Sequence, residues 1–247
     1  MLTESAPRSY VTGEYLQYQQ KYVRDIRESD KALIRWIRDT VENDFPANAE
    51  LSLLDIGCHS GNLLFHLKNA LPRLKYHGGD LFPEILEHCR SNPDLAGIDF
   101  HVMDVRNLAH QNQFDFVIVN AVLGRFEIDV FETCIQGIRA AMRSGGRMFI
   151  FDWFHPFEQE IFVREKSKDH PDGLPLNFRP FSQIAAILKR QDFTDTEFRP
   201  FSIPIDLKKP NDYSNIGTYT IRTDQGERLN FRGSLFQPWC HLRARKN

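Results

Sequence analysis

The feature that most constrains this sequence is an alternation of short apolar runs with amphipathic segments across residues 51–155. Residues 51–56 read LSLLDI and residues 114–119 read FDFVIV, which is the length and character of buried strands. Between such runs apolar residues recur at helical spacing, as at Leu63, Leu67 and Leu71. Because parallel strands need helical crossovers, the alternation predicts a mostly parallel sheet covered by helices on both faces.

The predicted elements follow one another without an internal repeat or a clear linker. Helices are predicted at residues 15–27 and 30–43, with Ser29 or Asp30 as the cap of the second, and at 63–71, 83–90, 129–142 and 182–190. Strands are predicted at residues 51–56, 74–80, 98–103, 114–119, 147–153, 193–205, 218–223, 228–231 and 239–245. A proline-rich loop with Pro171, Pro175 and Pro180 is expected before the last helix, and the basic residues 241–246 are expected to form a solvated edge strand.

These elements predict an α/β fold with a Rossmann-like, doubly wound sheet. The sheet should be mostly parallel, with an antiparallel C-terminal strand, an added β-hairpin and an N-terminal helical cap. We expect a single domain over residues 1–247: a cap at 1–48, a core at 49–155, and substrate-side loops with the C-terminal strands at 156–247.

Composition excludes several classes of protein. The 247 residues carry 31 Lys plus Arg against 33 Asp plus Glu, so the net charge of -2 argues against a nucleic-acid-coating protein. The four cysteines form no C-x-x-C pair, which predicts neither a metal site nor a thiol redox site and favours a reducing, cytoplasmic setting. Without a leader-like start or an apolar run of about 18 residues, neither secretion nor membrane insertion is expected.

The loop after the first predicted strand has the composition of a ligand-binding turn. It reads Asp55-Ile-Gly57-Cys58-His59-Ser60-Gly61. Glycines let a backbone approach a ligand closely, and the following helix N-terminus offers amide donors. In an open parallel sheet, ligands bind beyond the carboxyl ends of the strands, which is where this loop lies.

Polar residues also end the next three predicted strands. Asp80 ends the second, where a carboxylate can accept both hydroxyls of a ribose, and Asp104 ends the third, where it can accept from an adenine amino group. Asn120 ends the fourth, with an amide that can donate and accept. Each could alone be an ordinary solvated strand end, but their joint register favours one shared site.

Together the loop and the strand ends resemble the class I S-adenosylmethionine (SAM)-dependent methyltransferases of the small-molecule type. The resemblance covers residues 51–155 and rests on the D-x-G-C-x-x-G loop, in which His59 stands where the family has its middle glycine. It implies SAM as cofactor and S-adenosylhomocysteine as its product. The cofactor-binding residues that it implies are Tyr22, Arg27, Asp55, Gly57, Cys58, His59, Gly61, Asp80, Leu81, Asp104, Val105, Asn120 and Ala121.

Within this resemblance the individual roles differ. Gly57 and Gly61 would approach the methionine and ribose parts of the cofactor, and Asp80 would hold the ribose hydroxyls. Arg27, on the N-terminal helices beside Tyr22, is a candidate for the cofactor carboxylate. For Tyr22, Arg27 and His59, ordinary packing or solvation is the competing interpretation.

Methyl transfer from a sulfonium is an in-line displacement, so positioning can supply most of the rate and a base is optional. For a hydroxyl acceptor the candidate base is His155, with Asp152 and Glu127 behind it. Arg125 could bind an anionic acceptor, although a surface role fits it equally well. An aromatic set is expected to wall the acceptor pocket: Trp153, Phe154, Phe157, Phe162, Phe178 and Phe181.

The sequence therefore predicts a methyltransferase that acts on oxygen or nitrogen of a small molecule such as a sugar, a lipid or a secondary metabolite. Alternatives are a nucleic-acid methyltransferase and a domain that binds SAM without turnover. A nicotinamide-dependent oxidoreductase is disfavoured because the loop lacks G-x-G-x-x-G spacing. A homodimer is left open.

Overall fold

The computed structural model describes residues 13–168, 170–213 and 216–247. The helices are α1 Gly13–Arg24, α2 Glu28–Asp44, α3 Asn62–Ala70, α4 Pro83–Ser91, α5 Ile128–Ala141 and α6 Phe181–Arg190. The strands are β1 Leu51–Ile56, β2 Leu74–Asp80, β3 Asp99–Val102, β4 Phe114–Asn120, β5 Met142–His155, β6 Ile161–Glu165, β7 Leu174–Pro180, β8 Phe193–Pro200, β9 Thr218–Arg222, β10 Arg228–Arg232, β11 Leu235–Phe236 and β12 Trp239–Lys246.

The main sheet has the strand order β3-β2-β1-β4-β5-β12-β8. The first five of these strands run parallel, and β12 is antiparallel to both β5 and β8. The chain winds outward from β1 in one direction and from β4 in the other, so the point where strand order reverses lies between them. The predicted doubly wound α/β fold is confirmed.

Both faces of the sheet are buried, as the continuous apolar strands predicted. Leu51 and Leu53 of β1 pack with α2, α3 and α4, whereas Leu54 and Ile56 pack with α5 and α6. This division follows from the two-residue repeat of a strand, which sends alternate side chains to opposite faces. The two cores hold the carboxyl ends of β1, β2 and β4 at one edge.

Two predictions about the second half of the chain are wrong. Residues expected to be a proline-rich loop form β6 and β7, and β7 pairs antiparallel with β6 and parallel with the end of β5. Strand β7 was not predicted because it contains Pro175 and Pro180, and proline has no backbone N–H to donate within a sheet. The basic strand β12 is also not an edge, because it lies between β5 and β8.

The hairpin is confirmed as β9 and β10, but it forms a second, three-stranded sheet with β11 instead of extending the main sheet. This location could not be predicted from alternation alone, because the pairing partner of a short strand is a long-range choice.

The N-terminal helices pack on the sheet and on α3. Leu33, Ile37 and Val41 of α2 are buried in the core. Asn62 Nδ2 donates to the Gln19 carbonyl oxygen at 2.8 Å, which fastens α1 to the start of α3. Residues 1–12 of the predicted cap lie outside the described residues. Within the described ranges, no helix is long and apolar enough to cross a membrane.

Candidate active site at the carboxyl edge of the sheet

The loop from Gly57 to Gly61 is a narrow turn that requires glycine at two positions. Gly57 and Gly61 have φ of +74° and +73°, in the left-handed region that side chains avoid. A Cβ on Gly57 would lie 2.6 Å from Val122 Cγ2, and one on Gly61 would lie 2.7 Å from Leu95 Cδ1. The loop is therefore held close to neighbouring segments with its backbone exposed to the strand edge.

His59 takes the position of the missing middle glycine by adopting a left-handed conformation itself, with φ of +46°. Its backbone N–H donates to Asp80 Oδ2 at 3.0 Å, and its carbonyl accepts from the Cys89 thiol at 3.0 Å. The loop thus keeps the turn that a glycine would make, at the cost of some backbone strain. Cys58 is buried beside it, and burial raises the pKa of its thiol.

Asp80 closes the loop from the end of β2. Its second oxygen, Oδ1, accepts from the Phe82 backbone N–H at 3.1 Å. This bond spans Leu81, which lies between the two residues. Each oxygen of an ionised carboxylate has two lone pairs, and each here uses one on the backbone. The carboxylate can still accept from a diol.

Asp30 is a site residue that the sequence analysis read only as a helix cap, which is wrong. It lies in the first turn of α2, is only 2% exposed, and its Oδ1 accepts from Asn120 Nδ2 at 3.2 Å. The signal was present, since Asp30 shares the face of Leu33 and Ile37 at helical spacing. A carboxylate on an apolar helix face has a partner or a function.

Three carboxylates therefore converge on the loop, because Asp55 is buried between Asp30 and Asp80. Burial raises the pKa of Asp55 well above its usual value, and the charges of Asp30 and Asp80 raise it further. Burial also raises the pKa of Asp30, against the opposing effect of Arg27. Arg27 Nη1 lies 4.0 Å from Asp30 Oδ2. Three carboxyl groups make this edge acidic, while burial opposes the charged forms of Asp30 and Asp55.

Tyr22 and Arg27 contact each other near this edge. The guanidinium of Arg27 lies 3.9 Å from the centre of the Tyr22 ring, and its Nη2 donates to Gln19 Oε1 at 2.6 Å. The carbonyl of Tyr22 is bonded to His66 Nε2 at 2.8 Å. The Tyr22 backbone is thereby attached to α3, and Arg27 lies beside Asp30.

Asp104 differs from the other strand-end carboxylates because it has a full ion pair. Arg106 Nη2 donates to its Oδ2 at 2.6 Å, and Arg106 Nε donates to Oδ1 at 2.9 Å. These bonds lower the pKa of Asp104. The neighbouring Val105 is buried.

The segment after β4 turns sharply beside the glycine loop. Ala121 has φ of +57°, and its N–H donates to the Phe151 carbonyl at 2.8 Å. Since Asn120 pairs with Phe151, the residues after both positions continue together past the sheet edge. Asn120 and Val122 are thus brought to the same loop as Gly57.

Asp152 is fully buried in this continuation. Its Oδ2 accepts from the Gly124 N–H at 2.6 Å and its Oδ1 from the Trp153 N–H at 3.0 Å. Burial raises its pKa. These bonds fit a group that fixes the turn after β4 better than a base that exchanges protons with a substrate.

His155 is the last residue of β5 and is 4% exposed. Burial lowers the pKa of its imidazole, against weak opposing contacts with the backbone of Phe178 and Phe157. Four residues separate it from Phe151, or roughly 13 Å along an extended strand. Glu127 is exposed at the surface.

The aromatic residues expected to form one wall are divided by the structure. Trp153 and Phe178 stack at 5.3 Å between ring centres in a small cluster with Leu174 and Leu176. Phe154 belongs to the main core, and Phe157 is 65% exposed. The prediction of a single aromatic wall is wrong.

Comparison with known proteins agrees with this geometry. The family described as "Methyltransferase domain" matches residues 54–148. O-methyltransferase 3 of Dictyostelium discoideum is 22% identical to this chain. The match covers 54% of this chain and 33% of the length of that protein.

Among the described residues no cluster of His, Cys, Asp or Glu could hold a metal.

Solved structures share the fold at low identity. A Burkholderia thailandensis 1,6-didemethyltoxoflavin-N1-methyltransferase, solved with S-adenosylhomocysteine, has a TM-score of 0.59 at 14% identity over 100% of this chain and 93% of its own. Human N-acetylserotonin methyltransferase, solved with SAM, has a TM-score of 0.62 at 16% identity over 100% of this chain and 60% of its own. Residues 54–148 therefore match a methyltransferase domain, and the chain shares the fold of these SAM-dependent methyltransferase structures.

Proposed function

We propose that this chain binds SAM at the carboxyl edge of the sheet and transfers its methyl group to an oxygen or nitrogen of a small-molecule acceptor. The observation that carries the proposal is the convergence of Asp30, Asp55 and Asp80 on the loop of Gly57 and Gly61. SAM offers two positive charges, on its sulfonium and its amino group, together with a ribose diol. The acidic edge and the close backbone turn match both.

The fit of the cofactor is supported by the two glycine positions. A Cβ at Gly57 would collide with Val122, so the turn requires glycine, and the bare backbone that glycine leaves is what a ligand would lie against. Cys58 and His59 would border the same ligand through their backbone. Gly61 precedes α3, whose first N–H groups face this edge.

The remaining cofactor contacts follow from the positions of the side chains. Asp80, with Leu81 behind it, would accept from the ribose hydroxyls, and Arg27 beside Tyr22 would bind the carboxylate. Asp104 and Val105 would border the adenine. Asn120 and Ala121 would lie beneath the methionine portion, beside the carboxyl groups of Asp30 and Asp55.

When bound, the cofactor supplies a methyl group on a positively charged sulfur, which makes the reaction a single displacement. The chain's own task is to orient the acceptor and to exclude water, because orientation alone supplies much of the rate. His155, kept neutral by its lowered pKa, would accept a proton from a hydroxyl or amine acceptor. Asp152 would hold the turn of Gly124 that shapes this region.

Calorimetric titration with SAM and S-adenosylhomocysteine tests the cofactor site. Asp80→Ala should weaken binding by about 1.5–3 kcal/mol, the worth of hydrogen bonds to a charged group, and leave the fold intact by circular dichroism. Unchanged affinity would remove the ribose assignment. Lack of binding by the wild-type chain would remove the proposed function.

An acceptor screen with radiolabelled SAM separates an enzyme from a domain that binds the cofactor without turnover. With an acceptor in hand, His155→Gln should lower kcat by about 100-fold or more, the scale of general base catalysis, with little change in SAM affinity. A normal kcat would make His155 structural. A chain that binds SAM and methylates none of a broad panel would support the non-catalytic alternative.

A further inference from the structure

Asp30 is a buried carboxylate that lies between two residues of the proposed cofactor site. It is in the first turn of α2 and is only 2% exposed. Its Oδ1 accepts from Asn120 Nδ2 at 3.2 Å, and its Oδ2 lies 4.0 Å from Arg27 Nη1. Taking a carboxylate out of water is costly, so a carboxylate at such a position has a specific partner or a function.

The backbone is fixed on both sides of the contact between Asp30 and Asn120. On one side, α2 is anchored in the core by Leu33, which follows Asp30 at helical spacing. On the other, Asn120 ends β4, and the N–H of the next residue, Ala121, donates to the Phe151 carbonyl at 2.8 Å. The freedom that remains at Asn120 is the rotation of its side chain.

The carboxylate of Asp30 determines which end of the Asn120 amide faces α2. An ionised carboxylate only accepts hydrogen bonds, so it pairs with the NH2 group of an amide and repels the amide oxygen. Nδ2 of Asn120 therefore faces Asp30, and Oδ1 is turned away from it. None of the described residues donates to this Oδ1, so the oxygen is available to a donor at the carboxyl edge of the sheet.

Arg27 is held in place by contacts that do not involve Asp30. Its Nη2 donates to Gln19 Oε1 at 2.6 Å, and its guanidinium lies 3.9 Å from the centre of the Tyr22 ring. At 4.0 Å its Nη1 makes no hydrogen bond with Asp30. Burial raises the pKa of Asp30, and the charge of Arg27 opposes that rise. Arg27 thus favours the ionised carboxylate that orients Asn120.

The amino-acid end of SAM suits this arrangement. It carries an ammonium group, which only donates hydrogen bonds, beside a carboxylate, which only accepts them. We propose that Asp30 is a positioning residue for the ammonium group and acts through Asn120, whose amide it holds so that Oδ1 can accept from the ammonium. Arg27 would bind the adjoining carboxylate. This inference rests on the proposed function and adds to it a residue that selects for the amino-acid end of the cofactor.

A positioning role differs from a direct effect of the Asp30 charge, because the charge alone would also attract an ammonium group. The two roles depend differently on Asn120. A carboxylate that acts through the amide matters only while the amide is present, whereas a direct attraction persists without it. A double-mutant cycle on Asp30 and Asn120 measures this dependence.

S-adenosylhomocysteine and methylthioadenosine are the two probes, with affinities measured by calorimetry on the full chain. Both carry adenine, ribose and a neutral thioether, but only the first has the ammonium and the carboxylate. We expect Asp30→Ala to weaken S-adenosylhomocysteine binding about tenfold, as for a lost hydrogen bond to a charged group, and to change methylthioadenosine binding less than about twofold. An equal loss for both ligands would make Asp30 a structural residue and overturn the proposal.

The cycle itself needs only S-adenosylhomocysteine. Asn120→Ala should weaken its binding about tenfold, and adding Asp30→Ala should weaken it further by less than about twofold. Additive losses would show that Asp30 acts by its charge and would overturn the proposal. Glu28→Ala removes a partly exposed carboxylate that pairs with Lys31 in the same turn of α2, and as the matched control it should leave the affinity unchanged.

Asp30→Asn replaces Asp30→Ala in the cycle if the alanine variant fails to fold. An asparagine can turn either its oxygen or its NH2 group towards Asn120, so it no longer selects one orientation of that amide. We expect a loss of about threefold for S-adenosylhomocysteine that disappears in the Asn120→Ala background. A loss that persists there would contradict the positioning role.

The same titrations keep the two proposals apart. A wild-type chain that does not bind S-adenosylhomocysteine would remove the proposed function and, with it, this inference. Binding by the wild type with additive losses in the cycle would leave the proposed function standing and overturn only the role of Asp30.

Discussion

The two ends of the parallel sheet differ in whether their charged and polar groups have partners within the fold. At the amino end, Asp115 accepts from the Ser52 N–H at 2.8 Å, from the Ser52 hydroxyl at 3.1 Å and from Arg143 at 2.8 Å. Arg147 is likewise paired with Asp44 at 2.7 Å. Polar groups there are matched by the fold itself.

At the carboxyl end the polar groups outnumber their partners. Burial raises the pKa of Asp30 and of Asp55, nearby charges raise that of Asp55 further, and Arg125, Trp153 and Arg179 have buried N–H groups without a partner. Such mismatches cost stability, so they persist where a ligand completes them. The difference indicates that polar groups at the amino edge of the sheet stabilise the fold, whereas those at the carboxyl edge are available to a ligand.

Glycine substitutions at the two ends give the largest expected contrast. Gly57→Ala forces a left-handed alanine whose Cβ would lie 2.6 Å from the stiff Val122 side chain. We expect a loss of about 2–4 kcal/mol of unfolding free energy and at least a tenfold loss of SAM affinity. Chemical denaturation and calorimetry measure the two quantities.

Gly145→Ala is the matched control at the amino end. Gly145 has φ of +76°, and nothing lies within 4 Å of its added Cβ. Backbone strain alone should cost about 1 kcal/mol and leave SAM affinity unchanged. An equal affinity loss in both variants would contradict the division of the sheet into two functional ends.

The glycine loop is also where sequence reasoning succeeded most fully. Buried parallel strands have a distinctive apolar character, and the fold then fixes where their carboxyl ends meet, so Gly57, Gly61 and Asp80 could be placed together in advance. Asp30 could not be placed with them in advance, because its position at the site depends on how α2 packs against the end of β4. The same spacing is compatible with a simple helix cap.

The acceptor side was predicted less well for a physical reason. β7 contains Pro175 and Pro180, which disfavour a strand locally, and long-range pairing with β5 and β6 overrides that preference. Arg179 lies on this strand, so its burial against the Phe131 ring could not be inferred.

Asp115→Asn should produce the next largest effect and only on stability. The variant loses an ion pair with Arg143 and weakens two bonds to Ser52, which together are worth about 1.5–3 kcal/mol. Urea denaturation should show this loss, while SAM affinity stays at the wild-type value. Asp80→Asn is the counterpart, and a larger affinity loss for Asp115→Asn than for Asp80→Asn would reverse the comparison.

Asp55→Asn should act in the opposite sense on stability. The carboxyl of Asp55 has a raised pKa when folded, so wild-type stability declines as pH rises from about 4, the value in unfolded chains, through the folded pKa. Asparagine has no charge to bury, so the variant should be about 1–2 kcal/mol more stable at pH 7.

Thermal unfolding between pH 4 and pH 8 measures this effect. The difference in melting temperature between Asp55→Asn and the wild type should grow with pH and nearly vanish at pH 4. SAM should bind the variant more weakly, since one of the carboxylates facing its cations is gone. A variant less stable at every pH would show that Asp55 is paired in the fold, as Asp115 is.

The smallest effect is expected at Asp104. This carboxylate lies at the carboxyl end of the sheet but has an ion-pair partner, as the carboxylates at the amino end do. Arg106→Ala breaks a partly exposed ion pair, which should cost at most about 0.5 kcal/mol. It also removes the guanidinium from both Asp104 oxygens, of which Oδ1 keeps its bond from the backbone N–H of residue 106, so SAM affinity should rise two- to threefold. Arg222→Ala breaks the exposed pair with Asp206 in the second sheet and should leave affinity unchanged. A tenfold loss of affinity in Arg106→Ala alone would mean that the arginine, and not Asp104, contacts the cofactor.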